Sequence, residues 1–218
     1  MDINPKSPIS EAYRTLRTNI EFSSVAQEVR VIMMASAQPG EGKSTTAANL
    51  AVAYAQAGKK VLIIDCDLRK PTMHHIFNLS NRIGFTNLMM HKFSMHETIR
   101  DTSIMNLSVI TSGPIPPNPS EMLGSNRMNE LLEELKQHYD ILIIDTPPAL
   151  AVTDAQIVST KVDGVVLVIN SGEVKQELAL KVKMNMQHVG ARILGVVLNN
   201  MSRDNEDSYY YYYYGKSV

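Results

Sequence analysis

The residues with the clearest chemical purpose lie in the run Ala37-Gln38-Pro39-Gly40-Glu41-Gly42-Lys43-Ser44-Thr45. The apolar run Val31-Ile32-Met33-Met34 precedes it, and helix formers from Thr46 to Gln56 follow. Strand, glycine-rich turn, Gly-Lys-Ser and helix is an arrangement that binds a nucleoside triphosphate. Gly40 and Gly42 let backbone N–H groups approach phosphate oxygens with no Cβ in the way. The start of the next helix adds partial positive charge. Lys43 is placed to reach the β- and γ-phosphates, serving them rather than the core, and the Ser44 hydroxyl to ligate Mg²⁺. Pro39, Glu41 and Thr45 complete the loop around the phosphates. The strict pattern has glycine where this chain has Ala37. Two further apolar runs end in acid: Val61-Leu62-Ile63-Ile64-Asp65-Cys66-Asp67, and Ile141-Leu142-Ile143-Ile144-Asp145. Ligands of open α/β sheets bind beyond the carboxyl ends of the strands. Asp65, Asp67 and Asp145 are therefore expected at the phosphate edge, in Mg²⁺-binding and proton-transfer roles. The plainer alternative is that each acid caps the following helix or loop.

Positioning these groups requires strands buried on both faces, and unbroken Val/Ile/Leu runs suit that. Strands are expected at Val29 to Ser36, Lys60 to Asp65, Leu107 to Thr111, Asp140 to Asp145, Gly164 to Asn170 and Ile193 to Asn199. Helices are expected at Ser7 to Phe22, Lys43 to Ala57, Ser120 to Tyr139 with a break at Gly124, Thr153 to Thr160 and Val174 to Val189. Between Leu68 and Asn106 only short helical pieces are expected, such as His96 to Arg100. Such alternation predicts one α/β domain, a doubly wound, mainly parallel sheet with helices on both faces. At 218 residues the chain has room for one such domain. The reading divides it into an N-terminal helical segment (1–28), a nucleotide-binding domain (29–201) and a C-terminal tail (202–218).

Composition removes several functions. A net charge of −1 argues against nucleic-acid binding. The single cysteine, Cys66, excludes an internal disulfide. No apolar run approaches the roughly 20 residues of a membrane span. Met1 to Ser10 has no signal-peptide core. The chain reads as cytoplasmic, with any membrane link made through a partner. His74-His75 invites a metal reading, but adjacent side chains point apart and no cysteine is near.

Two features lie outside this core. On the first helix, Ala12, Tyr13, Leu16 and Ile20 share a face, while Glu11, Arg14 and Arg17 recur at every third residue on another arc. That arc either pairs within its helix or meets a partner. Near the C-terminus stand six consecutive tyrosines, Tyr209, Tyr210, Tyr211, Tyr212, Tyr213 and Tyr214. A core strand is not built of adjacent bulky phenols. The run is either a sticky tail or edge strand, or a set of accessible phenols presented as substrate.

Together these motifs resemble the bacterial tyrosine kinases of capsule and exopolysaccharide assembly. The likeness rests on the Walker A loop Ala37 to Thr45, the Walker A′ run Ile63 to Pro71, and the Walker B run Ile141 to Pro148. It rests also on the loop Gly113 to Pro119, on Glu11-x-x-Arg14-x-x-Arg17 and on the tyrosine tail. It covers nearly the whole chain. It implies ATP- and Mg²⁺-dependent autophosphorylation of Tyr209 to Tyr214 in trans, and regulation of polysaccharide synthesis and export. Asp65 would take the phenolic proton, with Asp67 and Asp145 holding Mg²⁺ directly or through water, and Asn199 would contact the base. Glu11, Arg14 and Arg17 would close a homo-oligomeric ring. A membrane-spanning activator that recruits the chain to the inner face of the membrane, a cognate tyrosine phosphatase and other protein substrates are the implied partners. The runner-up is an ATPase switch of the partitioning and division-site group. Its members carry a second lysine where this chain has Gln38.

Overall fold

The structure, a computed structural model, describes residues 7–23 and 28–201. The tyrosine run and the rest of the expected tail lie outside the described residues. In chain order the elements are α1 (Pro8–Phe22), β1 (Val31–Ser36), α2 (Lys43–Gln56), β2 (Val61–Asp65), α3 (Met73–Ile76), α4 (Phe85–Met89), α5 (Met95–Thr98) and β3 (Arg100–Asp101). There follow β4 (Leu107–Ile110), α6 (Pro119–Gly124), α7 (Asn126–Lys136), β5 (Ile141–Asp145), α8 (Asp154–Ser159), β6 (Gly164–Asn170), α9 (Gln176–His188) and β7 (Ile193–Asn199).

The apolar runs become the middle of one seven-stranded sheet ordered β3-β4-β2-β5-β1-β6-β7. Every pairing is parallel except β3 with β4. Side chains alternate between two cores. Val31, Met33 and Ala35 join the apolar faces of α4, α6, α7, α8 and α9. Ile32 and Met34 join Leu50 and Tyr54 of α2, Ile20 of α1 and Met73 of α3. Helices therefore cover both faces, as the sequence predicts.

Three local departures have physical causes. α5 starts early because Ser94 and Glu97 form a reciprocal cap, with Ser94 N–H donating to Glu97 Oε2 at 2.9 Å. Arg100, expected to end it, instead pairs antiparallel with Val109, and Asp101 with Ser108, as a short edge strand. In α1, Ser7 caps as expected, its Oγ accepting from Ser10 N–H at 3.1 Å. Ala12, however, is exposed, while Leu16 and Ile20 seat the helix. Among the described residues no helix is long and apolar enough to cross a membrane.

Candidate active site at the carboxyl ends of the central strands

β1 lies between β5 and β6, so the loop it feeds emerges at the middle of the sheet. Gly40 and Gly42 take φ values of 85° and 83°, the left-handed region that glycine alone adopts at low cost. Gly42 is also sterically closed, since a Cβ there would lie 2.1 Å from Asn199 Nδ2. That amide donates to the Glu41 carbonyl at 3.0 Å. Asn199, expected at the base, thus braces the phosphate loop with its N–H. Ala37 needs no glycine: it has no positive φ and its methyl is buried in the core. Glu41 is buried, and its carboxylate accepts from the Gln38 and Asn170 N–H groups. It holds the loop's shape from inside, while Pro39, Gly40 and Thr45 are exposed.

Lys43 and Ser44 open α2 and face the end of β5. Lys43 Nζ donates to Asp145 Oδ1, and Ser44 Oγ donates to Asp145 Oδ2 at 2.6 Å. Lys43 is 7% exposed and Asp145 fully buried. This corrects one expectation: Lys43 belongs to the buried edge of the core as well as to the phosphate loop.

Asp65 and Asp145 are register partners on β2 and β5. The Asp65 carboxylate accepts from Asp67 N–H at 3.2 Å, Thr72 N–H at 3.1 Å and Met73 N–H at 3.0 Å. Burial pushes its carboxyl up to about 7, the Asp145 charge pushes the same way, and the Met73 N–H opposes them. Burial also raises Asp67, against the N–H donors of Lys70 (2.9 Å) and Arg69 (3.2 Å) and the Lys43 charge. All five expected side chains, Lys43, Ser44, Asp65, Asp67 and Asp145, thus meet at one strand edge.

The sequence reading missed a clamp on the loop after β2. Arg69 donates Nε and Nη2 to Asp154 at 2.9 and 3.0 Å, and Ser120 Oγ donates to the same carboxylate at 2.6 Å. Asp154 is fully buried at the start of α8. Burial would raise its carboxyl, but Arg69 and Ser120 outweigh that and hold it below the ordinary range. Arg69 stood in the quoted run Ile63 to Pro71, yet nothing local pointed to a partner 85 positions away.

The donor set fits a hard cation held jointly with phosphates. A serine hydroxyl and the Asp67 and Asp145 carboxylates offer oxygen only. Among the described residues no group of three or more His, Cys, Asp or Glu could hold a metal by itself. Mg²⁺ suits this, since it binds through one or two carboxylates plus substrate phosphates.

The arc on α1 makes contacts within the chain. Arg14 Nη1 donates to Glu11 Oε2 at 2.7 Å, whereas Arg17 Nη1 donates to the Ala53 carbonyl of α2 at 3.0 Å. Arg17 therefore pins α1 to α2 within the chain.

Comparison with known proteins agrees with this geometry. A family profile described as an AAA domain matches residues 29–193. Tyrosine-protein kinase YwqD of Bacillus subtilis (strain 168) is 51% identical over 205 residues, covering 94% of this chain and 86% of YwqD. The chain belongs to the bacterial tyrosine kinase family. This kinase-family fold superposes on the crystal structure of the chimerical protein CapA2B2 with a TM-score of 0.88 and 49% identity, covering 91% of this chain and 88% of that one. The septum site-determining protein MinD of Pyrococcus horikoshii OT3, complexed with Mg-ADP, is a looser likeness. Its TM-score is 0.69 at 26% identity, covering 82% of this chain and 73% of that one. The runner-up group thus shares the P-loop architecture, and the kinase relatives are nearer throughout.

Proposed function

We propose that this kinase-family chain transfers the γ-phosphoryl group of ATP to tyrosine, with its own Tyr209 to Tyr214 as the first acceptors. The convergence of Lys43, Ser44, Asp65, Asp67 and Asp145 on one edge carries this reading. A phenol, with pKa near 10, is a poor nucleophile at neutral pH. Asp65, raised by burial, is a base matched to that pH. A tyrosine Oη lone pair attacks Pγ, the bond from Pγ to the β–γ bridging oxygen breaks, ADP departs, and the phenolic proton passes to Asp65. Lys43 leaves Asp145 to neutralise phosphoryl oxygens, and the loop N–H groups fix the phosphates in line. Ser44, Asp67 and Asp145 would hold Mg²⁺, which would supply further positive charge. A second reading gives the proton to Asp67. Asp65 has no exposed surface and accepts three backbone N–H groups, whereas Asp67 is 7% exposed.

Transfer in trans, within a homo-oligomer joined through Glu11 and Arg14, completes the proposal. Tyr209 lies ten positions after Asn199, a tether of roughly 15–20 Å. The accumulated charge, roughly −1.5 to −2 per phosphate at pH 7, would then loosen the assembly. A membrane-spanning activator would recruit the chain to the inner face of the membrane, a tyrosine phosphatase would reset it, and capsular or exopolysaccharide export would be the controlled process. A mixing experiment tests this. Lys43→Met protein with an intact tail is incubated with Mg-ATP and active protein whose six tail tyrosines are phenylalanine. Phosphotyrosine on the Lys43→Met chain is expected. If the wild type is labelled while neither chain of a confirmed mixed assembly is, transfer in trans is wrong. Wild-type label mapped away from the tail would remove Tyr209 to Tyr214 as acceptors.

A further inference from the structure

The two edges of the sheet are treated differently. β3 is short and charged, Arg100-Asp101, and it turns antiparallel. Such an edge resists pairing with another strand. β7 reads Ile193-Leu194-Gly195-Val196-Val197-Leu198-Asn199, with neither charge nor proline. It pairs only with β6 among the described residues. Val196 and Leu198 lie on one face and are 55% and 54% exposed. The Asn199 carbonyl accepts from Ser171 N–H at 2.8 Å, so Asn199 faces β6. Strand alternation then turns the N–H and C=O groups of Leu198 and Val196 outward. The register with β6 shifts once, between Val165 and Val166, and runs regularly from Gly195 to Asn199. An uncharged apolar edge of this kind invites a strand.

We propose that Tyr209 to Tyr214 docks on β7 as an antiparallel edge strand, covering Val196 and Leu198 and capping the sheet. The length fits, since six tyrosines face a strand of seven residues. The exit fits as well: Asn200, at a φ of 56°, turns the chain out of β7, and eight residues from Met201 to Ser208 make the return. Strands adjacent in sequence usually pair. The chemistry also selects tyrosine. It is among the best strand formers, and one face of an edge strand leaves its hydroxyls in water. Gly195 is exposed with nothing within 4 Å of an added Cβ. An aromatic residue opposite an edge glycine restores the contact that the glycine lacks. A second copy of β7 could pair there too, but the tail is present at the millimolar effective concentration of a short tether.

The tail reaches an active site only after it leaves β7, and phosphates added to neighbouring tyrosines there would repel one another and Asp204, Glu206 and Asp207, keeping it from docking again. Only this block on redocking rests on the proposed kinase activity. Hydrogen–deuterium exchange on the nucleotide-free, dephosphorylated full chain tests the docking. The Val196 and Leu198 amides should exchange at least about tenfold more slowly than in a full chain carrying Tyr210→Pro, Tyr212→Pro and Tyr214→Pro. Unchanged exchange of the β1 amides would show that the fold is retained. A chain with all six tyrosines changed to Glu should lose the same protection, with no phosphotransfer needed. Equal exchange in wild type and proline variant overturns the docking. Protection that rises with protein concentration, alongside a dimer in light scattering, places a second copy on the edge and overturns it too. Protection retained in the six-Glu chain overturns the block on redocking.

Discussion

Gly42→Ala probes how the phosphate loop is braced. Two costs are separable. An L-residue in the left-handed region loses about 1–2 kcal/mol. The new methyl, 2.1 Å from Asn199 Nδ2, must displace that amide from the Glu41 carbonyl, which it holds at 3.0 Å. Losing that bond costs about 0.5–1.5 kcal/mol. The sum is about 2–3 kcal/mol, or a fall in Tm of about 5–10 °C for a chain of this size. Gly40→Ala shares the positive φ but has nothing within 4 Å, so it should lose only about 1–2 kcal/mol. Asn199→Ala alone should lose about 1 kcal/mol. The double variant, Gly42→Ala with Asn199→Ala, should be no less stable than Gly42→Ala, a coupling of about 1 kcal/mol. Urea unfolding followed by far-UV circular dichroism measures all four, since the chain has no tryptophan. Additive losses, or equal effects of the two glycine changes, would refute the brace.

Three further outcomes are expected. Lys43→Met should abolish phosphotransfer and also lower nucleotide-free stability by about 3 kcal/mol, since removing one partner strands a buried charge; an unchanged Tm in a thermal scan would contradict this. The Asp65 carboxyl is raised from 3.8 in the unfolded chain to about 7 when folded, so the folded state holds its proton more tightly and stability declines as pH rises through that interval. As a base it acts only when deprotonated, so kcat/KM should climb through about pH 7, and Asp65→Asn should remove both trends; a retained kcat/KM limb moves the proton to Asp67. Arg69→Ala should destabilise more than Asp154→Ala, because it leaves a fully buried carboxylate, whereas Arg69 is 40% exposed and can be solvated. Asp154, held low, contributes stability above the ordinary carboxylate range that is lost as pH falls, so Asp154→Ala should flatten the acid limb of a Tm-against-pH curve.

The central strands and the phosphate loop were legible because their signals are local. An apolar run ending in Asp, or Gly-x-Gly-Lys-Ser between strand and helix, needs no knowledge of distant residues. β6 and β7 fall at the boundaries read from the sequence. What escaped was set by contacts across the chain. β3 exists because Arg100 and Asp101 meet Val109 and Ser108, and two residues have no periodicity to read. The Arg69–Asp154 pair and the Arg17 bond to the Ala53 carbonyl join elements that only the folded sheet brings together. Lys43 was legible as a phosphate ligand, but its pairing with Asp145 in a buried setting was not, since burial is a property of the assembled edge.

Met33 and Met34 sit side by side in the central strand, one in each core, and both are fully buried. Methionine is oxidised to a polar sulfoxide wherever an oxidant can reach its sulfur. Met105 and Met184, 78% and 67% exposed, will react while the protein is folded. Met33 and Met34 can react only when the sheet opens, and whichever face parts first exposes its own sulfur. The pair is thus a built-in chemical recorder. Under dilute peroxide, the order in which these two neighbours gain oxygen tells which helical layer leaves the sheet first.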